Sequence, residues 1–431
     1  MVLRNIKWWI LAALMFALPV QAQRTLIHAG RLIDAASNSA KSEMTIVIAK
    51  GKIVTVQKGY TAPGPGDTVI DLKEKTVMPG LMDMHTHMAG QFEKGGYIKR
   101  FQLYPPETAL VAVKYLERTL LSGFTTVRDV GGGEGVDLAL RNAVRRGDII
   151  GPRMFVAGKS LGVMGGHADP TNGFREDILG IPGPEDGVVN GVESARRAAL
   201  LAIKRGGDHI KITATAGVLS LASKAKTPQF TEDEIRVVVQ TAADFGKKVA
   251  AHAHGAEGMK RAIRAGVASI EHGTFMDEEA MELMKKHGTY LVPTIIAGRS
   301  VADSANIPGF YHPLVVPKAK ALGPVISRTF ARAYKAGVPI AFGTDAGVYA
   351  HGKNAKEFVY MVEAGMKPID AIRAATFHGA RLLGVEDSLG TIEAGKIADI
   401  IAVDDDPLKN IATMQNVTFV MKQGVVYKHI D

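Results

Sequence analysis

A chain of 431 residues, 46% of them hydrophobic, has the material for a large core and exceeds the usual single domain. The absence of cysteine excludes disulfides, thiolate nucleophiles and cysteine-ligated metals. The formal charge of +9 comes from basic residues scattered through helical stretches without interleaved aromatics, which argues against nucleic-acid binding and leaves some attraction for anionic substrates.

The first 22 residues read as an export signal. Arg4 and Lys7 supply the basic end, Trp8 to Val20 the apolar core, and Val20-Gln21-Ala22 a small-residue cleavage site. The apolar run falls short of the roughly 20 residues of a membrane span. The expected destination is the periplasm or the medium, with no membrane contact after cleavage and a residual charge of +7. From residue 23 to 79 the texture is all-β: "LIHAGRLIDA", "MTIVIAKGKIVTVQ" and "DTVIDLKEKTVMPG" are β-rich runs punctuated by Gly, Asn and Pro.

From Gly80 onward short apolar runs alternate with longer helical patterns, the signature of βα units. Candidate strands lie near 81–87, 124–130, 153–157, 208–213, 248–253, 268–272, 290–294 and 339–344. Between them, "PPETALVAVKYLERTLLSG" opens on prolines and closes on Gly123, and "TEDEIRVVVQTAADFGKK" opens with a capping box from Thr231 to Glu234. Eight such repeats predict a (β/α)8 TIM-like barrel over 80–390. The β texture returns in "IADIIAVD" and "VTFVMKQGVVYKH", so residues 23–79 and 391–431 are expected to build one small β-sandwich. Two long loops, Gly158 to about Glu193 and Thr215 to Phe230, would stand over the barrel mouth, where active sites of this architecture lie.

The residues able to carry chemistry sit at the predicted strand ends. His85 and His87 are spaced i, i+2 and share a strand face. Lys211 lies between Ile210 and Ile212, an expensive place for an ammonium unless it is paired or neutral. A neutral lysine can take up carbon dioxide and offer two carbamate oxygens to two metals. His252 and His254 repeat the one-face spacing in "VAAHAHG", His272 closes "SIEHGT", and Asp345 closes "PIAFGTD". Each is explicable singly as structure. Together they place HxH, Lys, His, His and Asp at the ends of strands one, four, five, six and eight. His209, His287 and His312 are read as structural, and Met84 and Met88 as packing.

In order, and over essentially the whole mature chain, "PGLMDMHTH", "GFTTVRDVGG", "HIKI", "AHAHG", "SIEHGT", "FGTDAG" and "GTIEAGKIADIIAVD" resemble the motifs of the amidohydrolase superfamily. The branch is the one related to imidazolonepropionase and to Xaa-Pro dipeptidases and carboxypeptidases. The resemblance implies a metal-dependent hydrolase whose carboxylated lysine bridges two divalent ions, zinc before manganese or cobalt. Carried onto this sequence, His85, His87 and Asp345 hold one ion, His252 and His272 the other, and the Lys211 carbamate bridges both. His254 and His167 are implied to touch the substrate, His167 at the scissile carbonyl. Arg128 and Asp129 are implied to brace the ligands, and His351 to reach the substrate or cap the next helix.

The implied reaction is attack on an amide carbonyl by a hydroxide between the ions, with Asp345 taking the proton and returning it to the leaving nitrogen. The implied substrates are dipeptides or N-acyl amino acids with a free carboxylate, ochratoxin-type phenylalanine amides among them. Ser220, Lys224, Lys226 and Tyr349 are candidates to hold that carboxylate. Alternatives are a cyclic-amide hydrolase resembling imidazolonepropionase, a lactone or phosphotriester hydrolase, and a non-catalytic binding protein on the same fold. Lys211 argues against the first, whose sites usually run on one metal without it, and the intact ligand set argues against the last. The relatives further imply a homo-oligomer, as large as an octamer.

Overall fold

The computed structural model describes residues 23–221 and 224–430. The expected signal segment lies outside the described residues. Among them, no helix is long and apolar enough to cross a membrane.

Both flanks of the chain meet in one sheet. β1 (Arg24–Leu32), β2 (Lys41–Ala49), β3 (Lys52–Lys58) and β4 (Thr68–Pro79) come from the N-terminal flank. β2 turns into β3 through Lys50 and Gly51, both at positive φ, as a two-residue hairpin turn requires.

The parallel strands follow β4 at once. β5 (Leu81–Thr86), β6 (Phe124–Asp129) and β7 (Arg153–Val156) form a three-stranded sheet. β8 (Gly162–Val163) pairs with β9 (Val188–Val189) inside the first long loop. β10 (Ile210–Thr213), β11 (Val249–Gly255), β12 (Ser269–Phe275) and β13 (Tyr290–Val292) form a four-stranded sheet. β5, β6, β10 and β11 are buried at every residue, as parallel strands covered on both faces must be. Isolated parallel bridges join Leu161 to Ile212, Leu291 to Ile340, and Thr86 to Ala346.

The segment expected as the eighth strand makes bridges only. Pro339 has no N–H to give, and the Phe342 amide bonds to Ala374 O rather than to a neighbouring strand. The Met84 amide nevertheless bonds to Phe342 O, so the segment still lies against β5.

β14 (Ile400–Val403), β15 (Val417–Lys422) and β16 (Val425–His429) return to the first sheet. Its order is β16-β15-β14-β4-β1-β2-β3. β4 is the hinge of this arrangement: its twelve residues run parallel to β1, and Thr76 to Pro79 also pair with β14. Hydrogen bonding thus puts all seven strands in one sheet and separates no second layer from it. Gly80 carries the chain directly from β4 into β5, and any side chain there would collide with Thr125 at about 2.2 Å.

The main core lies between the parallel strands and the helices that cover them. Ile210 and Ile212 belong to the same apolar cluster as Ile235, Val238 and Ala242 of helix Glu232–Asp244. That helix opens with the expected capping box, the Thr231 amide donating to Glu234 Oε2 at 2.9 Å. Helix Pro105–Leu121 likewise begins at the expected prolines.

Candidate metal centre

The strand ends bring two sets of ligand-type atoms together. His85, His87 and Asp345 form one set, and His252, His254 and His272 the other; within each set the atoms lie within 4.8 Å of one another. In the first, His85 Nε2 and His87 Nε2 lie 3.6 and 3.4 Å from Asp345 Oδ1. Two ligands about 2.1 Å from one tetrahedral ion are themselves about 3.4 Å apart. The sets adjoin: the rings of His85 and His272 are 4.9 Å apart, and those of His252 and His272 are 4.7 Å apart.

The other ring nitrogens are already engaged. His85 Nδ1 donates to Glu271 Oε2 at 2.8 Å, and His87 Nδ1 donates to Gly131 O at 2.8 Å. His254 Nδ1 and His272 Nδ1 lie 2.8 and 2.7 Å from the hydroxyls of Thr274 and Thr294. This fixes these four rings and leaves their Nε2 for the centre, whereas His252 Nε2 lies 3.5 Å from Ala216 O and leaves Nδ1. Burial, with the Lys211 charge nearby, drives His85 far below the ordinary histidine value and His87 down to about 4. Burial likewise pushes His252 and His272 far down. Neutral imidazole is the form a cation needs.

Lys211 is buried, 3% exposed, and burial lowers it to about 8 against the opposing pull of Glu271 and Asp345. Burial raises Asp345 to about 7, a shift that Lys211 opposes. Asp345 Oδ1 is buried and without a hydrogen-bond partner among the described residues, although it faces two imidazoles. A cation satisfies that oxygen and both rings at once, so the residues fit a metal.

A second layer holds these groups. Arg128, 3% exposed, donates to Met84 O at 2.7 Å, Ser269 Oγ at 3.0 Å and Glu271 Oε1 at 2.8 Å. It therefore reaches His85 through Glu271. Asp129 accepts from the Met88 and Gly131 amides at 2.5 and 3.1 Å, which sets the carbonyl that His87 uses. Asp83 accepts from the His85 and Thr344 amides, both at 3.1 Å, and from Thr344 Oγ1 and Asn354 Nδ2 at 2.5 and 2.7 Å. It thereby ties β5 to the turn that carries Asp345.

The remaining expected site residues divide. His167 comes to the cluster: its ring lies 4.4 Å from that of His252, and the Gly217 backbone presses on it so closely that a side chain at 217 would overlap it. Tyr349 is buried in a small apolar cluster with Ile296 and Ala346. Ser220 sits in the second long loop, its hydroxyl turned back on Gly217 O at 3.4 Å. Lys224 is exposed, and Lys226 lies over the Phe275 ring at 4.4 Å. His351 bonds to Gly90 O at 2.8 Å and stacks on Tyr115, with ring centres 4.7 Å apart, outside the histidine cluster. Met84 and Met88 are fully buried.

Sequence reading missed Lys318, on helix Val316–Lys335. Its ammonium donates to Ser220 O at 2.7 Å, and its charge bears on both His167 and His254. It lies a hundred residues from the loop it holds, and nothing in its local pattern marks it.

The chain matches the Amidohydrolase family over residues 76–427. The crystal structure of a Xaa-Pro dipeptidase with bound methionine in the active site is 50% identical to it, with a TM-score of 0.91, over 94% of this chain and 100% of that one. The ochratoxinase of Aspergillus niger is 32% identical over 95% of this chain and 87% of its own length. An imidazolonepropionase of Fusobacterium nucleatum is 24% identical over 89% of this chain and 93% of its own. The chain therefore belongs to the amidohydrolase family and is a hydrolase acting on amide bonds.

Proposed function

We propose that the protein is an exported amidase or carboxypeptidase that releases the C-terminal amino acid from dipeptides or N-acyl amino acids. In this reading the two parallel sheets and the 339–346 segment form one closed barrel around the centre. The observation that carries the reading is the contiguity of the two ligand sets, with the charge of buried Lys211 bearing on both. His85, His87 and Asp345 would hold one divalent ion, and His252 and His272 the other, with zinc the first candidate. Lys211 would bridge them as a carbamate, because a bare ammonium in this buried pocket is costly and has no lone pair to offer.

When bound, such ions polarise a carbonyl and bring water's pKa to about 7. The chain's own residues do the rest. Asp345, beside both imidazoles, accepts the proton of the attacking water and returns it to the leaving nitrogen. His167, kept neutral by burial at about 4, stands beside His252 to orient the scissile carbonyl. His254 adjoins both proposed ligands of the second ion, its ring 4.7 Å from that of His252 and 4.9 Å from that of His272. Lys318 supplies positive charge for the substrate carboxylate, a role for which Lys224 and Lys226 are too exposed. The methionine bound in the dipeptidase's active site supports a free amino acid as product, and the name of ochratoxinase supports an ochratoxin-type substrate.

The test is amino-acid release from Xaa-Pro, Xaa-Met, Xaa-Lys, Xaa-Arg and N-acyl-Phe compounds, ochratoxin included. The protein is metal-loaded with bicarbonate and run beside Lys211→Ala. Cleavage of one group by wild type and not by the variant is expected. Two bound metals with no amino acid released would overturn the reading.

A further inference from the structure

Glu357 is a buried carboxylate that this reaction does not use. It lies on helix Lys356–Glu363 and is 0% exposed. Its oxygens accept from the backbone amides of Ile295 and Ile296 at 2.8 and 2.6 Å, the first two residues of helix Ile295–Ser304. Arg299, the cation whose charge reaches it, is ion-paired with Glu363 instead. Its bonds thus go to one helix start, whose first N–H groups have no partner within the helix.

The residue before that helix explains why the start has to be held. Thr294 sits at φ 51, a left-handed conformation that a β-branched side chain seldom adopts. Glycine or asparagine would suit the turn better, but neither offers a hydroxyl. The Thr294 hydroxyl lies 2.7 Å from His272 Nδ1, and His272 itself sits at φ 72. The Thr294 amide donates to Gly343 O, two residues before Asp345. A relaxed helix start would let Thr294 leave this conformation and take its hydroxyl from the imidazole.

We propose that Glu357 is a positioning residue that fixes His272 through Thr294, and so sets the affinity of the second cation site, formed with His252. This rests on the reading of His272 as a metal ligand. A glutamine at 357 keeps the size but turns an NH2 toward a backbone N–H, so one of the two bonds is lost.

The test uses full-length protein loaded with zinc and bicarbonate, as wild type, Glu357→Gln, Thr294→Val and Thr294→Ser. Zinc per chain is measured against graded chelator, together with kcat and KM. In metal-free protein the His272 imidazole N–H is followed by 15N NMR. In Glu357→Gln and Thr294→Val one ion is expected to leave at about 10- to 100-fold less chelator than in wild type. The other ion should hold, kcat should fall with KM little changed, and excess zinc should restore turnover. Thr294→Ser, which keeps the hydroxyl, should match wild type. The His272 N–H signal should be lost in the two weakened variants.

Unchanged zinc retention in folded Glu357→Gln overturns the inference. So does a Thr294→Val protein that keeps both ions when Glu357→Gln fails to fold, because Glu357 is then a structural residue only. A wild type that binds fewer than two ions overturns the two-metal reading instead. The NMR comparison then still decides whether Glu357 governs His272.

Discussion

Arg128 and Glu271 give the sharpest energetic test of how the site is held. Both are buried, at 3% and 0% exposure, and they are joined at 2.8 Å. Arg128→Met leaves the Glu271 carboxylate enclosed with Ser269 and His85 as its donors among the described residues, and leaves Met84 O without the Arg128 bond. Breaking a buried pair from one side costs about 3–5 kcal/mol. An orphaned buried carbonyl adds about 1–3 kcal/mol. The sum, about 4–8 kcal/mol, approaches the whole stability of an ordinary domain. Glu271→Gln added to Arg128→Met removes the stranded charge, while its amide oxygen can still accept from His85 Nδ1. The double variant is therefore expected to be more stable than Arg128→Met alone, by about 1–3 kcal/mol. Denaturant midpoints of the wild type, both single variants and the double variant, at one pH and one metal load, give the cycle. A double variant less stable than Arg128→Met would refute the idea that the arginine is there to compensate Glu271.

Three further outcomes follow from the same geometry. Asp345→Asn keeps an oxygen for a cation but cannot take a proton, so turnover should fall by about 10²–10⁴ while much of the metal stays bound; full activity would remove the proton-transfer role. Lys318→Met should raise KM for substrates with a free carboxylate and leave KM unchanged for their carboxamides; an equal effect on both would assign Lys318 to holding the loop alone. Burial lowers Lys422, which donates to Gly151 O, to about 8 in the folded chain against 10.5 for the free group. The unfolded chain therefore binds more protons between those values, and stability gains as pH rises through that window. Lys422→Met lacks this gain, so wild type minus variant stability should grow between pH 8 and 10.5; parallel curves would contradict the buried ammonium.

The clustering of the candidate ligands was legible because period-two spacing and apolar runs show where strands end and which residues share a face. His85 with His87, Lys211 behind Ile210, and His252 with His254 all follow that rule. Asp83 follows it too, at i−2 from His85, and parity alone would have marked it as facing inward. Glu271 does not: it precedes His272 by one residue, so strand alternation puts the two on opposite faces. The positive φ of His272 breaks the alternation and lets both face the site. Lys318, Thr294 and Glu357 were illegible for another reason. Each acts across tens of residues of chain or more, through contacts that only tertiary packing creates. The segment expected as the eighth strand bonds to both neighbours, Leu291 on one side and Met84 and His85 on the other, yet only through isolated bridges, because Pro339 has no N–H and the Phe342 amide goes to Ala374 O.

His272 and Asp345 are both non-glycine residues at positive φ, 72 and 61, and both close segments that point into the centre. Neither conformation is one an ordinary side chain chooses, and strain of this kind persists only where the surroundings over-determine it. Here the surroundings are two carboxylates. Asp83 grips the Thr344 amide and hydroxyl beside Asp345, and Glu357 grips the helix that follows Thr294 beside His272. Each acid takes its bonds from backbone and neutral side chains rather than from a basic partner, so burial raises both above the ordinary carboxylate range. Two unpaired acids are a poor way to stabilise a fold. They are an effective way to hold two turns rigid without placing a further cation beside residues proposed to receive one.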